Sequence, residues 1–131
     1  MNTQLFIVNE SKFSFTDTIE KLSSRIVETG WKIPTTHDLQ ETIRKSGKSV
    51  LPIKVIEICR PDYSVKLLNE DALRVYSPLM PCRISVYEVN GGKTYISRMN
   101  SGLLAAEIGG KVEEVMGKAF EEMENIINEL I

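Results

Sequence analysis

The stretch CRISVYEVNGGKTYISRM, residues 82–99, holds two runs of alternating side chains on either side of Asn-Gly-Gly. Alternation with β-branched and aromatic residues is the period of a half-buried strand, and Asn-Gly between two such runs favours a tight antiparallel turn. The stretch predicts a β-hairpin, and with it a sheet that is at least partly antiparallel. Successive strand side chains point to opposite faces, so Cys82, Ile84, Val86 and Glu88 share one face while Arg83, Ser85, Tyr87 and Val89 share the other. A two-residue turn, Asn90-Gly91 or Gly91-Gly92, groups Ile84 and Val86 with Tyr95, Ser97 and Met99. It groups Arg83 and Tyr87 with Ile96 and Arg98. The first turn also sets Glu88 opposite Lys93, a favourable cross-strand pair, and is preferred.

Working outward, QLFIVNES reads as a first strand ending near Ser11. Phe15, Ile19, Leu22 and Ile26 then recur at helical spacing, with Ser14 as N-cap, Asp17 in the first turn and Gly30 as the stop. WKIP is expected to form a short second strand, TTHDLQETIRKSG a short helix with Thr caps and Leu39 and Ile43 inward, and PIKVIEIC a central strand. Pro61 suits the first turn of a further short helix, PDYSVKLLNED, and Ala72 to Pro81 reads as a loop. SGLLAAEIGG and KVEEVMGKAFEEMENIINELI are helical, with a break at Gly109-Gly110. An apolar stripe from Val112 to Leu130 makes the last helix wide enough to cover a sheet. No repeat or linker intervenes, so residues 1–131 are expected to form a single α+β domain: a mainly antiparallel sheet backed by helices, the last long and amphipathic.

With 131 residues, 42% hydrophobic and 26% charged, the composition is that of an ordered globular protein. The formal charge is −2, with acids concentrated after Glu107. No clustered basic stripe tracks a phosphate backbone, so nucleic acid is not expected as a partner. The sequence shows neither a signal-like start nor an apolar run of membrane length, so a cytoplasmic location without membrane association is expected. In that reducing compartment Cys59 and Cys82 are expected as thiols rather than a structural disulfide.

GGKT at 91–94 resembles the end of a phosphate-binding loop, but the first glycine of that motif would fall on Tyr87, and Lys93-Thr94 opens a strand where a helix N-terminus is required. His37 is the only histidine, expected exposed in the first turn of a helix, so no histidine metal site or Cys-His-carboxylate triad is indicated. No catalytic residue, metal or cofactor is assigned. Cys59 ends one strand and Cys82 begins another. On neighbouring antiparallel strands their sulfurs would lie at the same end of the sheet, either as small apolar fillers or as a redox or metal-binding pair. Arg83 and Arg98, sharing a face with Tyr87, are the second candidate. Two close cations suit an anion, and Arg with Tyr is typical of interface hot spots, unless each pairs with a carboxylate of its own chain, such as Glu57.

EICRP (57–61), PLMPCRISVYE (78–88) and YISRMNSGLLA (95–105), together with the ETGWKI ending of the first helix, give the chain a likeness to a known family. The sequence resembles the small bacterial and archaeal proteins of domain of unknown function three hundred and two. The resemblance marks Cys59, Pro61, Pro81, Cys82 and Arg83. Arg60 departs from the common Asn, and Ser101 stands where proline is frequent. The family implies a TATA-binding-protein-like α+β fold, a curved antiparallel sheet backed by helices, and dimeric assembly, and it brings no established activity. The leading expectation is a non-enzymatic homodimeric module whose exposed sheet face, with Arg83, Tyr87 and Arg98, binds a partner subunit or a small anionic ligand. The alternative is a thiol-based redox or metal-binding protein using Cys59 and Cys82.

Overall fold

A computed structural model describes residues 5–131, so Gln4 of the expected first strand lies outside it. The element order is β1 (Phe6–Glu10), α1 (Phe15–Glu28), β2 (Thr36–Asp38), α2 (Leu39–Lys45), β3 (Ile53–Ile58), α3 (Pro61–Leu68), a 3₁₀ helix (Asp71–Leu79), β4 (Cys82–Glu88), β5 (Thr94–Met99), α4 (Ser101–Ile108) and α5 (Gly110–Ile127). The five strands form one sheet in the order β1-β5-β4-β3-β2, antiparallel at every pairing. Among the described residues no helix is long and apolar enough to cross a membrane.

Local chemistry sets most boundaries. The Ser14 side chain accepts from the Asp17 amide, satisfying one orphan donor of α1, and Gly30 leaves that helix at φ 96°. Two expected elements move. WKIP contributes only an isolated bridge, Lys32 to Cys59, and the second strand is Thr36–Asp38, beyond Pro34. Its residues pair with β3, which places His37 on a strand instead of in a helical turn. Asp38, not a threonine, caps α2 by accepting from the Glu41 amide at 3.0 Å. The expected loop from Ala72 to Pro81 is mostly 3₁₀ helix, which its spread of apolar residues holds against the neighbouring helices.

The hairpin forms, with a different turn. Glu88 faces Thr94 and Val89 is bonded to Lys93, so the loop has three residues, Asn90, Gly91 and Gly92. The two-residue Asn-Gly turn needs positive φ at Asn90. Only the glycines adopt it, at 97° and 90°. The extra residue reverses the expected parity of β5. Ile96 and Arg98 join Ile84 and Val86, and Tyr95, Ser97 and Met99 join Arg83, Ser85 and Tyr87.

That inner face, continued by Ile56 and Ile58 of β3, packs under Leu22 and Ile26 of α1 and Ala119, Met123, Ile126 and Ile127 of α5. Each such fully buried aliphatic side chain contributes about 1.5–3 kcal/mol. The first half of α5 builds a second core, where Val112, Val115 and Met116 meet Leu67 of α3 and Ala105 of α4. Here α4 approaches α5 closely: a Cβ on Gly102 would stand 2.8 Å from the Phe120 ring.

Arg98 lies in the first core with 6% of its surface exposed. Its Nε and Nη2 donate to the two Glu124 oxygens at 2.8 and 2.7 Å, and Nη1 donates to Asn9 Oδ1 at 2.8 Å. Removing one partner of a buried pair leaves an uncompensated charge, whereas removing both does not. Glu124→Ala is expected to cost about 3 kcal/mol in urea unfolding. The double variant Arg98→Met with Glu124→Leu is expected to lose less than that single change.

Candidate functional site

The reversed parity separates the residues that sequence reasoning grouped. Arg83 and Tyr87 stand on the outer face and Arg98 points into the core, so the expected trio on one exposed face is corrected. Both arginines nevertheless border one cavity of about 310 Å³, at the end of the sheet where the β4–β5 ladder stops. Its lining draws on both sides of the sheet: Phe6 and Met99 from the outer face, Met116 and Phe120 from α5. Arg98 is neutralised there by Glu124. Glu57 is the strand partner of Arg83, yet its carboxylate takes a 2.8 Å hydrogen bond with His37 Nε2 instead. The Arg83 guanidinium is exposed and makes no hydrogen bond or ion pair among the described residues.

Apart from the Glu10–Lys93 ion pair at one end, the rest of the outer face is mainly apolar and aromatic. Tyr87 and Tyr95, opposite each other on β4 and β5, stack with ring centres 6.0 Å apart. Phe6, Ile53, Val55 and Met99 surround them, with Ser85 and Ser97 between. None of these residues belongs to either buried core. Beside them lies α2, which buries no residue, with Leu39 and Ile43 sharing a surface hollow with Ile53 and Tyr87.

Cys59 and Cys82 do come to the same end of the sheet. Cys82 is opposite Ile58, so Cys59 is one step further along the neighbouring strand, and both are free thiols lining a cavity of about 40 Å³. Burial, and secondarily the nearby Cys59, push the Cys82 thiol above its ordinary 9.0. A raised pKa opposes thiolate formation by the isolated thiol.

Beside the thiols is a cluster that sequence reasoning missed. Glu122 of α5 accepts from Trp31 Nε1 at 3.3 Å, from Arg60 Nη1 at 3.2 Å, and from the Tyr63 hydroxyl. The Arg60 guanidinium, bonded also to the Thr29 carbonyl, lies over both rings, 5.8 Å from Trp31 and 4.9 Å from Tyr63. The hydrogen bond to Glu122, then burial, raise the Tyr63 phenol above its usual range. A signal was available: Glu122 falls on the same helical spacing as Val115, Ala119 and Ile126, a carboxylate inside an apolar stripe.

A family model described as Domain of unknown function DUF302 matches residues 7–130. The chain belongs to the DUF302 family. Curated proteins give no match. Among solved structures, the crystal structure of an uncharacterized conserved DUF302 protein from Bacillus stearothermophilus is similar, with a TM-score of 0.82 at 19% identity. That match covers 96% of this chain and 98% of the other. The likeness carries the fold: the α+β arrangement with a five-stranded antiparallel sheet and a long C-terminal helix is shared DUF302 architecture.

The Cys82 shift has a signed consequence for this DUF302 chain. In the unfolded chain the thiol ionises near its ordinary pKa, while the folded chain holds its proton to higher pH. The stability this provides is complete below the ordinary thiol range and is lost as pH rises through the folded value. Urea midpoints measured between about pH 8 and 10 are expected to fall more steeply for the wild type than for Cys82→Ala.

Proposed function

We propose that this DUF302 domain is a non-enzymatic module that works as a homodimer, its outer sheet face covered by the same face of a second copy. The observation that carries this reading is that face itself, which among the described residues belongs to neither buried core. Helices α1 and α5 close one side of the sheet, while Phe6, Ile53, Val55, Tyr87, Tyr95 and Met99 remain on the other, outside both cores. Phe6 and Met99 are 45% and 41% exposed. Five strands about 4.8 Å apart and about six residues long give a footprint on the order of 500 Å² per copy. Two copies therefore bury about 1,000 Å², the lower bound for a specific interface, before the shelf made by α2 and exposed Val50 and Leu51 is added. A twofold partner suits a face that is nearly uncharged at its centre, because groups lying on the axis of an isologous contact meet their own copies. Stacked tyrosines supply hot-spot chemistry, and the lone Arg83 gives little hold on a nucleic-acid backbone. The TATA-binding-protein-like label implied by family resemblance is part of the same reading, one sheet side backed by helices and the other free to bind.

Light scattering on the purified chain at micromolar concentration is expected to give the mass of two chains. The double variant Tyr87→Glu with Tyr95→Glu is expected to give one, with its helical circular dichroism retained. A monomeric wild type at hundreds of micromolar overturns the proposal.

A second reading is favoured by Arg83, a cation without a partner among the described residues, on the rim of an apolar cavity that also bears the hydroxyls of Ser85, Ser97 and Ser101. That combination suits a small ligand with an apolar body and an anionic head. Decanoate is expected to raise the melting temperature of the wild type, and decanol to do so much less. Arg83→Ala is expected to remove the difference between them.

A further inference from the structure

The small cavity beside the thiols is lined by four sulfur-bearing side chains drawn from four parts of the chain: Cys59 after β3, Met80 after the 3₁₀ helix, Cys82 at the start of β4, and Met116 of α5. Two backbone hydrogen bonds between Cys59 and Lys32, at 2.8 and 2.9 Å, hold the first in place. Its Sγ lies 3.9 Å from Ser64 Oγ in the first turn of α3. Sheet pairing sets Cys82 opposite Ile58, one residue before Cys59, and both cysteines line the cavity, with which the electrostatic effect of Cys59 on Cys82 accords. Met116 is 8% exposed, so the helical wall of the cavity is itself buried.

We propose that this cavity is a binding site for a soft monovalent metal ion, copper(I), held by the thiolates of Cys59 and Cys82 with thioether support from Met80 and Met116. Size and chemistry point the same way. A cavity of about 40 Å³ holds one atom-sized guest, and its wall is mostly apolar. Hard cations need carboxylate or carbonyl oxygens, and zinc needs a set of nitrogen, sulfur or oxygen ligands. Among the described residues no group of three or more His, Cys, Asp and Glu exists to hold either. Thiolate with thioether is the donor set that selects copper(I). Binding is balanced without a redox step: one cuprous ion and two thiols give a bis-thiolate complex of charge −1, with two protons released. The surroundings suit that charge. Arg60 borders the cavity, and the ammonium groups of Lys66 and Lys118 stand 5.8 and 5.4 Å from the ring of Tyr63, which lines it too. Glu122 offsets only one of these three cations.

The site is tested on the full chain, reduced and kept free of oxygen, by titration with copper(I) against a bicinchoninate or bathocuproine competitor and by X-ray absorption of the loaded protein. One equivalent of copper(I) with sulfur-only scattering is expected, and a tenfold excess of zinc(II) is expected not to displace it. Cys59→Ser and Cys82→Ser are each expected to abolish stoichiometric binding. Met80→Leu and Met116→Leu conserve volume, so the fold stays intact, and each is expected to weaken affinity by about tenfold to a hundredfold, as when supporting ligands are lost. Absence of stoichiometric binding, nitrogen or oxygen scattering in place of sulfur, displacement by zinc, or unchanged affinity in folded Cys82→Ser overturns the proposal. So does unchanged affinity in both methionine variants.

Discussion

The bond between Val89 and Lys93 across a three-residue loop decides the side of the sheet to which every residue of β5 turns. Because strand side chains alternate, one residue more or less in that loop exchanges the two faces of the strand. With the loop as it is, Ile96 enters the core and Tyr95 stays outside. Arg98 also enters, and the rest of the structure has to answer it. Its charge meets Glu124 from α5 and Asn9 from β1, so one buried guanidinium ties the sheet's edge strand to the helix that covers it.

Helix α5 is therefore more than an apolar lid. Two carboxylates are set into its covering surface, Glu124 toward the sheet and Glu122 toward the ends of α1 and α3. Each accepts several donors, and a buried or half-buried charge persists only when it is satisfied in this way. Directed bonds of this kind fix the rotation and register of α5 more sharply than interchangeable aliphatic contacts can. The thiol cavity lies against the same helix and inherits that definition.

Much of the fold was legible in the sequence. Ser14, Gly30, Pro61 and the Gly109-Gly110 break mark helix ends because capping and backbone freedom are local properties of single residues. The alternation of β4 correctly turned Cys82 inward and Arg83 outward. Loop length was not legible, since Asn-Gly-Gly admits two- and three-residue turns and the outcome rests on whether Ile96 or Tyr95 packs better under distant α5. For the same reason Arg98 was placed on the wrong face. The short strand Thr36–Asp38 was hidden behind a helix-cap pattern and exists only because β3 offers it a partner. Of the candidate site, Cys59 and Cys82 were rightly brought to one end of the sheet. Met80, Met116 and the Glu122 cluster were missed because they meet the thiols only through tertiary packing.

Strand β1 carries a further consequence, in time rather than in space. It joins the sheet solely beside β5, with Phe6 against Met99, so its template is the last of the sheet's strands to be synthesised. The hairpin of β4 and β5 closes a short loop and can form by itself, whereas docking β1 closes a very long one and is entropically dearer. The first strand to emerge is in this way among the last to settle. Until it does, Arg98 lacks Asn9, and the sheet keeps an open edge through much of its own assembly.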